Sequence, residues 1–292
     1  MTAGLIRIPA QTATLGSDRH YPEEGPVRDV AVEEFRIQAH PVTNADFARF
    51  VEQTGYLTVA ERPLNPADYP GAPQENLQPG SMVFHRTSRP VDLRHLSQWW
   101  TWTPGASWHR PVGPRSSAER RPDHPVVHVA YEDAENYARW AGLDLPTEAE
   151  WETAARGGLR QATYTWGDEP ELPGQRLANY WHGDFPWRPE LGYGRTSPVG
   201  SFPPNNYGLF DMAGNVWEWT SDWYNDDRAG NPCCEAGSYD PAQPQFKVPR
   251  RVIKGGSFLC ADNYCLRYRP AARRPQMVDT GMSHIGFRCV RR

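Results

Sequence analysis

At 292 residues the chain has room for one large domain or two small ones, and a formal charge of −4, from 31 basic and 35 acidic side chains, argues against the clustered basic surface of a nucleic-acid binder. The longest basic runs, Arg273-Arg274 and Arg291-Arg292, are short and are read as solvated. Its 12 Trp, 25 Gly and 29 Pro point to loops pinned by buried aromatic rings, and no window approaches the roughly 20 apolar residues that span a bilayer.

Residues 1–10 lack a basic region followed by a sustained apolar run, so no secretory signal is read. Up to about His40, short extended runs alternate with turns. Thr43 reads as a helix N-cap, Phe47, Phe50 and Val51 follow at helical spacing, and Gly55 stops the helix. Residues 60–123 are rich in Pro, Trp and Arg and show no period, as in a long structured loop or a partner-facing surface. Alternation over 126–130 predicts a strand. Ala134, Tyr137, Ala138 and Ala141 form one apolar helical face ended by Gly142. Thr147-Glu148-Ala149-Glu150 is a capping box that opens a helix through Trp151, Ala154 and Ala155 and stops at Gly157-Gly158. From Gly167 onward turns, short strands and aromatic residues dominate. No linker or repeat interrupts the chain, so the expectation is a single mixed α/β domain over 1–292 with much irregular structure.

Three constellations could carry chemistry. Cys260 and Cys265 lie in Gly255-Gly256-Ser257-Phe258-Leu259-Cys260-Ala261-Asp262-Asn263-Tyr264-Cys265. Such a pair can be a disulfide, half of a zinc site, or two thiolates for one soft metal, since thiolates select Cu(I), Zn or iron–sulfur clusters over hard cations. Cys233 and Cys234 are adjacent and would chelate one zinc poorly. They lie in a Gly/Pro/Asn-rich loop and are read as solvent-facing. Five cysteines is an odd count that suits a reducing cytoplasm better than a fully paired secreted framework.

The second constellation is Asp211-Met212-Ala213-Gly214-Asn215-Val216-Trp217-Glu218, two carboxylates flanking a glycine and free carbonyls. Hard oxygen donors of this kind suit Ca²⁺, although the spacing is not that of an EF-hand and a turn capped by Asp211 with Glu218 exposed is the simpler alternative. The third is His124-Pro125-Val126-Val127-His128. On a strand its two rings stand roughly 13 Å apart, too far to share a metal.

Taken together, several stretches resemble the formylglycine-generating enzyme family, also called the sulfatase-modifying factor family. They include Pro41-Val42-Thr43-Asn44, Leu145-Pro146-Thr147-Glu148-Ala149-Glu150-Trp151-Glu152, Gly214-Asn215-Val216-Trp217-Glu218-Trp219-Thr220-Ser221-Asp222-Trp223, Arg251-Val252-Ile253-Lys254-Gly255-Gly256-Ser257-Phe258 and Ile285-Gly286-Phe287-Arg288. They run from about residue 22 to 289, and the fold the resemblance implies is the C-type-lectin-like, sulfatase-modifying factor fold. It also implies an activity: oxidation, with O₂ and a thiol reductant, of a cysteine in a Cys-x-Pro-x-Arg segment of an unfolded sulfatase-like polypeptide to Cα-formylglycine. Cys260 and Cys265 would hold Cu(I), Ser257 would hydrogen-bond near the sulfurs, Trp217 would wall the oxygen pocket and Tyr264 would line the substrate cleft.

The same resemblance implies one Ca²⁺ at Asp211, Gly214, Val216 and Glu218. A second would sit at Asn179, Tyr180, Glu190 and Tyr193, with Glu190 the nearest substitute for an acidic ligand absent from a shortened segment, 186–195. Ala138, Ala155 and Pro270 stand where secreted relatives carry cysteines, leaving Cys289 alone, which agrees with a cytoplasmic enzyme. Ala261 and Asp262 replace the His and Arg often found between the two cysteines, so the cleft is open to a different sequence or thiol. A non-catalytic binding module of the same fold is the alternative. An iron-dependent relative would need H-x₃-H-x-E, and here His128 is followed by Val129-Ala130. For the substrate peptide, Trp99, Trp100, Trp102 and Trp108 offer apolar surface or are core, and Asp92 and Asp123 could pair with its arginine.

Overall fold

The computed structural model describes residues 4–172, 174–225, 235–245 and 247–292. Cys233 and Cys234 fall outside the described residues. The three helices lie where their caps place them. In α1 (Asn44–Thr54) the Thr43 hydroxyl accepts the Asp46 N–H at 3.1 Å, and Gly55, at φ 67°, turns the chain out of the helix. In α2 (Tyr131–Trp140) the Asp133 carboxylate accepts the Ala130 N–H at 2.8 Å. In α3 (Glu148–Arg156) Thr147 and Glu150 exchange backbone and side-chain hydrogen bonds, and Gly157 closes the helix at φ 56°.

The strands are short. β1 (Leu5–Ile8) and β13 (Val290–Arg291) flank β4 (Phe35–Gln38), so the two chain ends share one antiparallel sheet. β2 (Gln11–Leu15) pairs with β3 (Arg28–Val32), and β5 (Gly80–Phe84) with β6 (Trp100–Pro104). β7 (Gly183–Asp184) and β8 (Arg188–Pro189) form a small ribbon. The four-stranded sheet that carries the site has the order β11 (Arg273–Met277), β10 (Arg250–Lys254), β9 (Trp217–Trp223), β12 (Ile285–Gly286). Its last pair is parallel, Ile285 opposite Trp217.

Three apolar clusters hold this together. Phe47 and Phe50 of α1 meet Tyr137 of α2, Phe287 and Trp219 in one. Trp151, Ala154 and Ala155 of α3 pack on Ile8, Leu15, Ile37 and Val290 in the second. Trp99, Trp181, Phe185, Phe258 and Leu259 form the third, beside the cysteine loop. Buried ion pairs also link these elements: Glu24 with Arg269, Glu148 with Arg273, Glu152 with Lys254 and Arg156, and Glu218 with Arg288.

Two expectations are corrected. Residues 126–130 are not a strand, because His128 sits at φ 61° and breaks the extended run; its ring bonds Ser81 Oγ at 2.7 Å and the Pro111 carbonyl at 2.8 Å. The segment 60–123 contains a hairpin, β5 and β6, with Trp99 almost fully buried and Trp108 edge-on to Phe47. Much of its aromatic content is therefore core.

Candidate active site

The site is built by a tight loop after β10. Gly255 and Gly256 have φ of 94° and 72°, and a Cβ on Gly256 would stand 2.8 Å from the Arg267 carbonyl and the Tyr268 Cα. Only glycine threads that gap. Cys260 N–H then bonds the Ser257 carbonyl at 2.9 Å, and Cys265 N–H bonds the Ala261 carbonyl at 2.7 Å, curling the C-x₄-C segment into successive turns.

That curl brings the Cys260 and Cys265 sulfurs to 3.5 Å. Both cysteines are buried and free, and the gap is far longer than an S–S bond. They titrate as a pair. The Cys260 thiol hydrogen-bonds Cys265 and pulls it down to about 6, helped by the charges of Arg274 and Arg267 against the effect of burial. Burial pushes Cys260 up, as does the thiolate beside it. The result is a thiol–thiolate couple, with Arg267 Nη1 3.9 Å from the Cys265 sulfur. Arg267 is itself held by Glu23 at 2.6 Å and lies over the Tyr21 ring.

Trp217 and Tyr264 line one cavity of about 320 Å³, together with Trp100, Arg274, Met282 and His284. Tyr264 stacks on Phe185 with centroids 4.5 Å apart and meets Trp99 edge-on. The Trp217 N–H bonds the His284 carbonyl at 2.9 Å, and the His284 ring lies 4.8 Å from Trp100. Ser257 is fully buried, its hydroxyl accepting the Leu259 N–H at 3.2 Å, which fixes the loop one residue ahead of Cys260.

Arg267, Arg274 and His284 were not singled out from sequence as site residues. The signal for Arg274 was present, since alternation along β11 sends Arg273 and Arg274 to opposite faces. Arg273 turns inward to Glu148 at 2.9 Å while Arg274 enters the cavity, so the pair is not a solvated run. Arg292 is likewise paired, with Glu150 and Asp144.

The oxygen-donor sets are placed differently from the cysteines. Both Glu218 oxygens are spent: Oε2 accepts from Trp151 Nε1 at 2.7 Å and from Arg288 Nε at 2.7 Å, and Oε1 accepts from Arg288 Nη2 at 2.8 Å. Glu218 is fully buried, not exposed. Asp211 accepts from the Gly200 N–H at 2.8 Å and the Asn215 amide at 3.2 Å, and burial raises its carboxyl above the usual range. Gly214 bridges to Asn179, and Val216 is buried beside it. In the second set the Asn179 Oδ1 is a buried acceptor with no partner, while Glu190 turns to Arg176 at 2.7 Å. The Tyr180 hydroxyl donates to Glu171 at 3.1 Å, and Tyr193 packs on His182. Ca²⁺ takes carbonyl as well as carboxylate oxygens, so the unpartnered Asn179 Oδ1 is an acceptor such a cation could use, whereas Glu218 in the first set would have to share its oxygens with Arg288 and Trp151. Asp92 is paired with its neighbour Arg94 at 2.7 Å in an exposed ion pair.

The two sulfurs do fit a soft metal: they are adjacent, buried, reduced and partly ionised, and two thiolates leave coordination positions open. The family model for the sulfatase-modifying factor enzyme 1-like domain matches residues 1–292. The chain belongs to the formylglycine-generating enzyme, or sulfatase-modifying factor, family. It is 53% identical to a formylglycine-generating enzyme of Mycobacterium tuberculosis, over 99% of this chain and 98% of that protein. A formylglycine-generating enzyme of Thermomonospora curvata is 45% identical over 98% of this chain and 93% of that one. Among solved structures, PvdO from Pseudomonas aeruginosa superposes with a TM-score of 0.65 at 26% identity, over 99% of this chain and 94% of that one. The family's fold is therefore the fold of this chain, irregular and single-domain.

Proposed function

We propose that this chain is a copper-dependent oxidase that converts a cysteine in a Cys-x-Pro-x-Arg segment of a sulfatase-type polypeptide to Cα-formylglycine. The observation that carries the proposal is the reduced, buried Cys260–Cys265 pair at 3.5 Å, in a chain 53% identical to a formylglycine-generating enzyme over nearly its whole length. Cys260 and Cys265 would hold Cu(I), which when bound supplies a soft centre for a third sulfur and the one-electron chemistry that O₂ requires.

The residues do the rest. The glycine turn and Ser257 fix where the sulfurs stand. Trp217, Trp100 and Met282 give the cavity apolar walls, and Tyr264, held flat against Phe185, would be the wall along which the substrate backbone runs. The balance is a thiol, O₂ and two reductant thiols giving an aldehyde, hydrogen sulfide, water and one disulfide. The substrate Cβ loses hydrogen, and the resulting thioaldehyde takes up water to release sulfide. A thiol reductant and two reduced cysteines suit a reducing compartment, the cytoplasm, and we place the chain there. Among the described residues no helix is long and apolar enough to cross a membrane.

The test is direct. A peptide containing Cys-x-Pro-x-Arg, incubated in air with the copper-loaded chain and a thiol reductant, should exchange one sulfur and two hydrogens for one oxygen and become hydrazide-reactive. An untouched peptide alongside oxidation of another thiol would reassign the substrate. No oxidation of any thiol would favour a binding module of the same fold.

A further inference from the structure

Four arginines that follow the cysteine loop each have a carboxylate: Arg267 has Glu23, Arg269 has Glu24, Arg273 has Glu148 and Arg288 has Glu218. Arg274 is different. It stands on β11 opposite Ile253, is partly exposed, and no carboxylate pairs with it among the described residues. It enters the cavity that Trp217 and Tyr264 line, and none of the residues lining that cavity is acidic. A lone guanidinium in a cleft walled by Trp, Tyr and Met sits in a lowered dielectric, where an arriving anion gains more than it would on open surface.

We propose that Arg274 is a specificity determinant, receiving a carboxylate that the substrate polypeptide carries next to its target cysteine. This rests on the cleft being the place where the cysteine-containing segment binds. Tyr264, the residue immediately before Cys265, lines this cavity with Arg274, which places the group reaching Arg274 on a residue adjacent to the target cysteine. An acidic neighbour is favoured, a neutral one tolerated, and a basic one repelled.

The experiment uses the full chain and a panel of Cys-x-Pro-x-Arg peptides in which the residue on either side of the cysteine is Glu, Gln or Lys. Binding is read first, by fluorescence anisotropy of the same peptides with the target cysteine replaced by serine, on metal-free protein. The Glu peptide should bind about five- to tenfold tighter than the Gln peptide in at least one flank, as one charge-assisted contact predicts. Arg274→Gln should abolish that difference, Arg274→Glu should invert it in favour of Lys, and salt should weaken it. Equal binding of Glu and Lys peptides by the unmodified chain overturns the proposal, as does a preference that survives Arg274→Gln. Conversion of the same peptides by copper-loaded protein is then compared. If the preference holds in binding but no peptide is converted, Arg274's selectivity stands and the oxidase assignment falls.

Discussion

Arg288 grips Glu218 with two hydrogen bonds, 2.7 and 2.8 Å, and neither side chain has any solvent exposure. Glu218 is the neighbour of Trp217 on β9, so this pair ties the segment between β12 and β13 to the strand that lines the cleft. Removing one partner leaves the other charge buried. Arg288→Met should cost about 3–5 kcal/mol of stability, as unpaired buried ions do, and urea unfolding measures it. A loss below about 1 kcal/mol would mean that the pair does not pin the sheet.

Gly256 should be as sensitive as the cysteines themselves. Gly256→Ala puts a methyl group 2.8 Å from the 267–268 backbone at a left-handed φ of 72°. We expect a loss of roughly 1–3 kcal/mol and separation of the two sulfurs, seen as weaker Cu(I) binding in competition with a chromogenic chelator. Wild-type affinity in this variant would show that the loop tolerates the change.

His284 sets an acid limit on stability. Burial, then the charges of Arg274 and His128, push its ring down to about 3. The folded state therefore keeps it neutral while the unfolded chain protonates it near the ordinary value of about 6.5. Below that value the unfolded state binds more protons, so stability is full above about pH 6.5 and falls toward pH 3, by up to about 1.4 kcal/mol per unit. Urea unfolding at pH 7.5 and pH 5 should show a smaller difference for His284→Asn than for the unmodified chain. An identical difference would rule out His284 as the source.

Cys265 should be the more reactive member of the pair. With its thiol lowered to about 6 and Cys260 raised, iodoacetamide at neutral pH should label Cys265 first, once Cys233 and Cys234 are changed to serine. Peptide mapping after brief labelling decides it. Preferential labelling of Cys260 would reverse the assignment of thiol and thiolate.

The sequence spoke clearly where the signal was local. Thr43, Thr147, Gly55 and Gly157 mark helix ends because caps act within one turn. The C-x₄-C pair was equally plain, being five residues apart within one loop. It was silent or misleading where the deciding partner is remote. Nothing in the sequence around Glu218 shows that Arg288, 70 residues away, lies on it. Alternating apolar residues at 126–130 read as a strand, but His128 takes a left-handed conformation and turns inward to Ser81. Arg273 and Arg274 look like one basic run until β11 splits them between Glu148 and the cleft.

The central claim is that two thiolates hold the metal that oxidises a substrate thiol. The most direct measurement pairs anaerobic Cu(I) titration with peptide conversion in air, for the unmodified chain, Cys260→Ser and Cys265→Ser. The account predicts one tightly bound Cu(I) per unmodified chain and a hydrazide-reactive peptide, with both lost in either variant. Full conversion by Cys265→Ser, with copper rigorously excluded, would contradict it.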